Sequence, residues 1–351
     1  MKMFCSKSIM TCLISVMAIS LAYVGAHAQL KLANGSIAIR TVKTVSTVND
    51  LVSLLPASDI VATIDVNRAV NELLPKLAEL GVDTSHLSEE LDSFASKTKV
   101  DPNKIQSAVM GFSLSGTQAK GVIIVQGVDL DSKKLEAGIK AYRAEFKTTE
   151  HKGIPIFMLP SNKVKSPTAG PLSVKTDETS IVALGQQRLA FGDLSVIKNV
   201  IEISTGAAKG GVSPTLAGAL NETRSTALIR YALNLPENVR QEAANQGDLF
   251  KSIAAIKVIL GTFDVAKDLT LSLDTVMRTA SQGEAGELEN GLKGVLTLAQ
   301  GFLGGNDPKL EIFKQLLDQV KVASKTTDVS LSINVPRPLL EQLTKKKTAS
   351  K

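Results

Sequence analysis

The chain has 351 residues, with 40 Lys and Arg against 34 Asp and Glu; 44% of its residues are hydrophobic and only 4% aromatic. Charged residues at 21% with this apolar content exclude a disordered chain, and two Cys with three His exclude a disulfide scaffold or a Cys-rich metal protein. The length suits about two domains.

Residues 1–28 read as a secretory signal peptide. Lys2 and Lys7 supply a positive start, an apolar stretch runs from Ile9 to Val24, and Ala26-His27-Ala28 forms a small-x-small cleavage site. Cleavage falls between Ala28 and Gln29. The alternatives are an uncleaved anchor and a lipoprotein acylated at Cys12. The apolar run falls short of the ~20 residues that span a bilayer, and Ile9-Met10-Thr11 is a poor context for lipid attachment. Removal of the leader takes Cys5, Cys12 and His27 with it, and leaves no cysteine and a net charge of +4. A cysteine-free chain suits an oxidising compartment, so the reading is an exported protein, periplasmic or extracellular, with no stable membrane span.

Residues 29–48 read as a tether rich in Ser, Thr and Lys, despite an Asn34-Gly35 hairpin signal. A first module spans 49–205. Its pattern predicts a helix over 50–55 ending at Pro56, a strand over 60–66, and helices over 68–80 and 86–97, with Pro75 inside the former. A hairpin of 107–115 and 120–128 follows, then a helix over 132–146 capped by Asp131 or Ser132. A second hairpin pairs 154–159 with 180–191 across a long polar loop, and a helix covers 194–204. Residues 206–213 read as a flexible linker. The second module, 214–344, begins with a strand over 226–235 and helices over 237–256. The hairpin 257–265 and 268–277 leads to helices over 284–302 and 308–319. A last hairpin (319–324 and 328–335) precedes a helix after Pro336. The stripe Leu310, Phe313, Leu316, Leu317 and Val320 predicts that the helix over 308–319 packs rather than projects. Residues 345–351 form a basic tail.

Both modules follow one plan, and two stretches align between them. Leu51, Leu55, Ala62 and Ile64 match Leu216, Leu220, Ala227 and Ile229 at one offset, and Leu135-Glu136-Ala137-Gly138-Ile139-Lys140 matches Leu288-Glu289-Asn290-Gly291-Leu292-Lys293 at another. A tandem duplication is the expectation. Hairpins with helices between them predict an α+β fold of antiparallel or mixed sheet with helices packed on one face.

Leu55-Pro56-Ala57-Ser58-Asp59-Ile60-Val61-Ala62, leading to Asp65-Val66-Asn67-Arg68, resembles the opening of certain exported bacterial proteins of unknown function, over about residues 50–130. The resemblance implies a bacterial envelope setting and carries no functional residues with it.

Catalytic patterns are incomplete. Ser195-Val196-Ile197-Lys198 has the S-x-x-K spacing of penicillin-binding enzymes, in which a lysine one helical turn from the serine assists proton transfer, but the chain has no K-T-G. Gly111-Phe112-Ser113-Leu114-Ser115 lacks the second glycine of a hydrolase elbow and reads as a strand. His86 and His151 are isolated, so no metal site is expected, and Asp129-Leu130-Asp131 lacks the rest of a calcium loop. Glu89-Glu90 and Glu284 with Glu287 read as helix-surface charge. No phosphate loop follows Gly206–Gly211, and no cofactor is implied. The small net charge and scarce aromatics argue against nucleic acid, and the absence of Trp against carbohydrate. The expectation is therefore a non-enzymatic envelope protein that binds a partner protein or contributes to an assembly. The alternatives are a carrier for a lipid or other apolar ligand, and a hydrolase whose site leaves no linear trace. The ligand-binding candidates are Asp65, Asn67 and Arg68, at the end of the first strand.

Overall fold

The structure is a computed structural model. It describes residues 48–80, 84, 89, 101–114, 120–142, 145–160, 178–185, 187–245, 252–303 and 308–348. The predicted leader, the tether and most of the predicted helix over 86–97 lie outside the described residues.

Twelve antiparallel strands form one sheet in the order β11-β12-β10-β9-β8-β1-β2-β3-β7-β6-β5-β4. The first half of the chain supplies β1 (Ile60–Asp65), β2 (Ser107–Ser113), β3 (Lys120–Gln126), β4 (Lys147–His151), β5 (Ile154–Pro160), β6 (Glu178–Gly185) and β7 (Arg188–Gly192). The second half supplies β8 (Ile229–Asn234), β9 (Val258–Val265), β10 (Leu271–Arg278), β11 (Val320–Lys325) and β12 (Asp328–Val335). The halves join edge to edge where β1 pairs with β8, from Ile60 opposite Leu233 to Ile64 opposite Ile229. Backbone bonds extend the seam at both ends: Asp65 N–H donates to Leu228 at 2.9 Å, and Asn234 N–H to Asp59 at 2.7 Å. The two predicted modules thus share one sheet.

The helices are α1 (Val48–Val52), α2 (Val66–Arg68), α3 (Leu74–Glu79), α4 (Ser132–Tyr142), α5 (Leu194–Ser204), α6 (Pro214–Glu222), α7 (Glu237–Ala244), α8 (Gln282–Phe302), α9 (Pro308–Asp318) and α10 (Arg337–Thr348). The fold is α+β, as expected, but the helices cover both faces rather than one. The reason is in the strands, which carry apolar residues at both parities. On the first face Val61, Val109, Val122, Ile124 and Ala232 meet Leu51 and Leu55 beside α1, Ile197 and Ile201 of α5, and Leu216 and Leu220 of α6. On the second face Ala62, Ile64, Met110, Ile123 and Phe191 meet Val66, Val70 and Leu73, with Leu135 and Ile139 of α4. A third cluster lies on that second face at its far end, where Ala285 and Leu288 of α8 pack on Met277 and Val329. Leu51, Leu55, Leu216 and Leu220, aligned in sequence, are all buried, in α1, just beyond it and in α6.

Several local expectations differ from the result. Between α2 and α3 the chain widens into a π-helical turn, Ala69–Leu73, closed by Leu74 N–H on the Ala69 carbonyl. Pro75, which cannot donate in a helical ladder, then sits in the first turn of α3. Residues 180–191 are not one strand but the hairpin β6–β7, and β5 pairs on one side with β6 and on the other with β4. The β4–β5 turn places Lys152 at φ 53° and Gly153 at φ 75°, the left-handed pair that a tight hairpin requires. Lys147–His151 hides from a hydrophobicity reading because it is a polar edge strand.

The predicted linker is laid down firmly. Gly211 N–H donates to Leu55 at 3.0 Å. A Cβ on Gly210 would collide with the Ser53 carbonyl, and one on Gly211 with the backbone of Pro56 and Ala57. The glycines serve close approach here, not flexibility. Gly211→Ala should cost about 1–3 kcal/mol in urea unfolding, the usual range for overpacking against a backbone that cannot yield; Ala207→Ser, at an exposed neighbouring position, should cost less than about 0.5 kcal/mol.

Tyr231 spans three strands. It lies over Gly261 of β9, and its hydroxyl meets Thr275 Oγ1 of β10 at 2.6 Å. Burial raises the phenol above its ordinary value, opposed by the Thr275 hydrogen bond and assisted by the Asp274 charge. A phenol raised in the fold contributes stability that is complete below the unfolded value of about 10 and is lost above it. The stability advantage of the wild type over Tyr231→Phe should therefore shrink as pH rises through that region, as read by urea unfolding at several pH values.

Candidate functional site

The sequence candidates come first. Asp65 caps α2, accepting the Arg68 N–H at 3.0 Å on Oδ1. Asn67 makes a long bond of 3.4 Å to the Asn103 carbonyl. Arg68 turns across the seam. Its guanidinium donates to the Thr226 carbonyl at 2.9 Å and the Val265 carbonyl at 2.7 Å, partners 158 and 197 residues away. It pairs with Asp264 at 2.7 Å, and Arg224 approaches the other oxygen of that carboxylate at 3.1 Å. Asp264 also accepts the backbone N–H groups of Leu228 and Val265. These residues form a clamp between the halves, with their polar atoms committed to the protein itself.

Several other polar candidates are similarly engaged. Ser113 donates to Asp59 at 3.3 Å, and Ser115 lies outside the described residues. Ser195 is exposed in the first turn of α5, with Lys198 one turn on. His151, on edge strand β4, meets Glu202 of α5 at 3.0 Å; His86 lies outside the described residues. Asp131 caps α4 at Lys134 N–H, and Asp129 pairs loosely with Lys134. At the start of α8 the Ser281 hydroxyl accepts the Glu284 N–H, and the Glu284 carboxylate accepts the Ala280 N–H, a variant of the capping box.

Two arginines show the same economy. Arg230, only 8% exposed, bonds the Thr223 hydroxyl at 2.9 Å and the Leu220 carbonyl at 2.6 Å, at the C-terminus of α6. Burial lowers its pKa, and the negative end of the helix offsets part of the cost. Arg278 bridges Asp328 and Glu222 at 2.9 Å each, and those bonds raise its pKa. Among the described residues, no group of three or more His, Cys, Asp or Glu could hold a metal ion.

What stands apart is apolar. Helix α8 begins well anchored, with Ala285 and Leu288 buried and Leu292 packed on the same cluster. At 1.5 Å per residue its 21 residues extend about 31 Å. Its later turns are less covered. Val295 is 39% exposed, Leu298 65% and Phe302 84%, the large exposed hydrophobic residues among those described. Their spacing of three and four places them on one stripe. The opposite flank is tied down: Lys293 pairs with Glu289 at 2.6 Å, and Gln300 donates to Asp318 of α9 at 3.1 Å. Between Gly294 and Gly305 the sequence carries no charge. By contrast α9, predicted to pack, does so through Ile312, 7% exposed, with Phe313, Leu316 and Leu317 half-buried.

Sequence reasoning missed this stripe. Leu292, Val295, Leu298, Ala299 and Phe302 carry the periodicity of a core-facing helix, and only the folded structure shows which of them are exposed. The available signal was the uncharged run itself, unusual on a solvent-facing helix.

No protein family matches the chain, and neither does any curated protein. Among solved structures, crystal form I of TP0453 is similar at a TM-score of 0.43 and 6% identity, over 85% of this chain and 97% of that one. Crystal form III is similar at 0.43 and 7%, over 83% and 95%.

If the Arg68 cluster is a clamp rather than a binding site, its removal shows in stability. Arg68→Met should cost about 2 kcal/mol in urea unfolding, because it takes one charged partner from Asp264 and the side-chain donors from two carbonyls. Glu72→Ala, which removes the outlying partner of Arg68 at 3.8 Å, should change stability by less than about 0.5 kcal/mol.

Proposed function

We propose that the protein is an exported cell-envelope component that works by surface contact rather than catalysis, and that the distal half of α8 is its contact surface. The reading of export rests on Lys2, Lys7, the apolar run from Ile9 to Val24 and the Ala26-His27-Ala28 site. The reading of contact rests on one observation: Val295, Leu298 and Phe302 are exposed in line on a helix whose first half is firmly anchored. Apolar residues clustered in this way on a surface mark interaction sites. The leucines and isoleucines that an internal carrier would need around a cavity are instead in mutual contact in the clusters on the two sheet faces, which favours surface contact over carriage. The shared plan β1-β2-β3-α4-β6-β7-α5 and β8-β9-β10-α8-β11-β12-α10 supports descent of the halves from one duplicated unit. On that view α9 stands where the first half has the β4–β5 hairpin.

The processed chain lacks cysteine, so a single introduced thiol reports on the surface. Phe302→Cys in the purified protein should react quickly with a charged maleimide, and about tenfold more slowly in intact envelopes, where the surface is covered. Ala207→Cys, at an exposed position remote in sequence, should react equally in both. Equal reaction of Phe302→Cys in the two settings would contradict the proposal.

A further inference from the structure

The two outermost strands of the sheet differ in what they can accept. β4 pairs with β5 on one side and with no described strand on the other, and β11 stands likewise beside β12. An edge strand offers its outward N–H and C=O groups to a further strand unless charge or shape forbids it.

Which groups β4 offers follows from its turn. Lys152 and Gly153, both at positive φ, make a two-residue hairpin turn, so His151 and Ile154 form a hydrogen-bonded pair. By alternation Thr149 with Ile156 and Lys147 with Met158 do the same, and the backbone groups of Thr148 and Glu150 point outward. Pro155, which has no N–H, falls opposite Glu150, in a pair that needs none. Thr148 and Glu150 are exposed.

The side chains suit a second copy of the same strand. Two antiparallel copies related by a two-fold axis normal to the sheet keep their faces, so each residue meets one of its own parity. Centred on Thr149, the pairing sets Thr148 of one copy opposite Glu150 of the other, and both such pairs exchange backbone hydrogen bonds. On the face toward α5 it sets Lys147 opposite His151 of the second copy, whose ring meets Glu202 at 3.0 Å. A lysine thus arrives beside a carboxylate at each end of the pairing. On the other face the Thr148 hydroxyl faces the Glu150 carboxylate. β11 has no such match. Val322 packs on the third cluster, so Lys321 and Lys325 lie together on the opposite, open face, where both are exposed. A second β11 would gather the lysines of both copies there.

From the outward backbone groups and the charge match, we propose that two copies of the chain join through their β4 strands, antiparallel and centred on Thr149, into one continuous sheet. The proposal stands apart from the contact reading of α8. That helix packs on β11 and β12, at the other end of the strand order, so the dimer leaves both apolar stripes free and raises avidity for any repeated partner.

Cysteine placement reads the register directly. In the chain from Gln29 onward, which has no cysteine, Thr149→Cys puts two thiols at the axis in a non-hydrogen-bonded pair, with Cα atoms about 4.5 Å apart, inside the disulfide range. Mild oxidation should cross-link it to a dimer at least about tenfold faster than Thr148→Cys, although Thr148 is the more exposed. Adding Thr148→Pro removes one outward donor from each copy and should slow the cross-link about thirtyfold. The urea midpoint should hold, because that N–H faces away from β5. Adding Lys147→Glu instead should slow the cross-link at least about tenfold, and Glu202→Lys on top of it should restore the rate, which damage to the fold would not. Equal cross-linking of Thr148→Cys and Thr149→Cys, or a Thr149→Cys protein that stays monomeric, would overturn the proposal. A monomer that is nonetheless shielded from maleimide in intact envelopes would also overturn it, and would assign the edge to a strand of another protein.

Discussion

The pairing of β1 with β8 is the constraint on which the rest of the structure depends. Each strand would otherwise be an edge, with its N–H and C=O groups unsatisfied and a hydrophobic side chain on either face. Joined, they become the centre of a twelve-stranded sheet, and Val61 and Ala232 become fully buried. The seam also decides what surrounds it. Helices α1 and α6 lie over the first face beside it, and the chain between the halves is pressed against residues 53–57 so closely that Gly210 and Gly211 have no room for a Cβ. Arg68 then crosses from the end of β1 to Asp264 on β9 and to two carbonyls of the second half. A polar cluster that could pass for a binding site is the lock on a sheet junction.

Polar side chains along the sheet serve the fold. Asp59, Asp65, Asp131 and Asp264 each accept backbone N–H groups, and Arg68, Arg230 and Arg278 are held by carbonyls, hydroxyls or carboxylates of the protein. The element that departs from the pattern is α8, which anchors its first turns on β10 and β12 and then carries exposed apolar residues. Exposure of Phe302 has a cost in water that a partner surface would relieve. The second half contributes five strands to the sheet and the first half seven.

Much of this was legible in the sequence, for physical reasons. Continuous apolar runs such as Gly121–Val125, and helices with clear stripes such as 194–204, carry local signals strong enough to place β3 and α5. Helix α6 was not predicted, although its Leu216 and Leu220 align with Leu51 and Leu55 in sequence. What was illegible depends on contacts distant in sequence. Nothing near Arg68 points to Asp264 or Val265, so its role as a clamp could not be inferred from its neighbours. Lys147–His151 lacks the alternation that marks a strand because an edge strand of polar residues buries little. The helix ending at Phe302 has the periodicity of a buried one, and only the folded structure shows which of its apolar residues are exposed. The glycines at 210 and 211 read as flexible because composition cannot distinguish freedom from close contact.

Hydrogen exchange across the seam tests the central claim most directly. If the halves form one cooperative sheet, the amides within residues 60–65 and 229–234 that bond across β1 and β8 should exchange only through global unfolding, with the same free energy as the amides of β2 and β9. Exchange of the seam amides at a markedly lower free energy, while β2 and β9 stay protected, would mean that the halves part and fold as separate units, and would contradict the account.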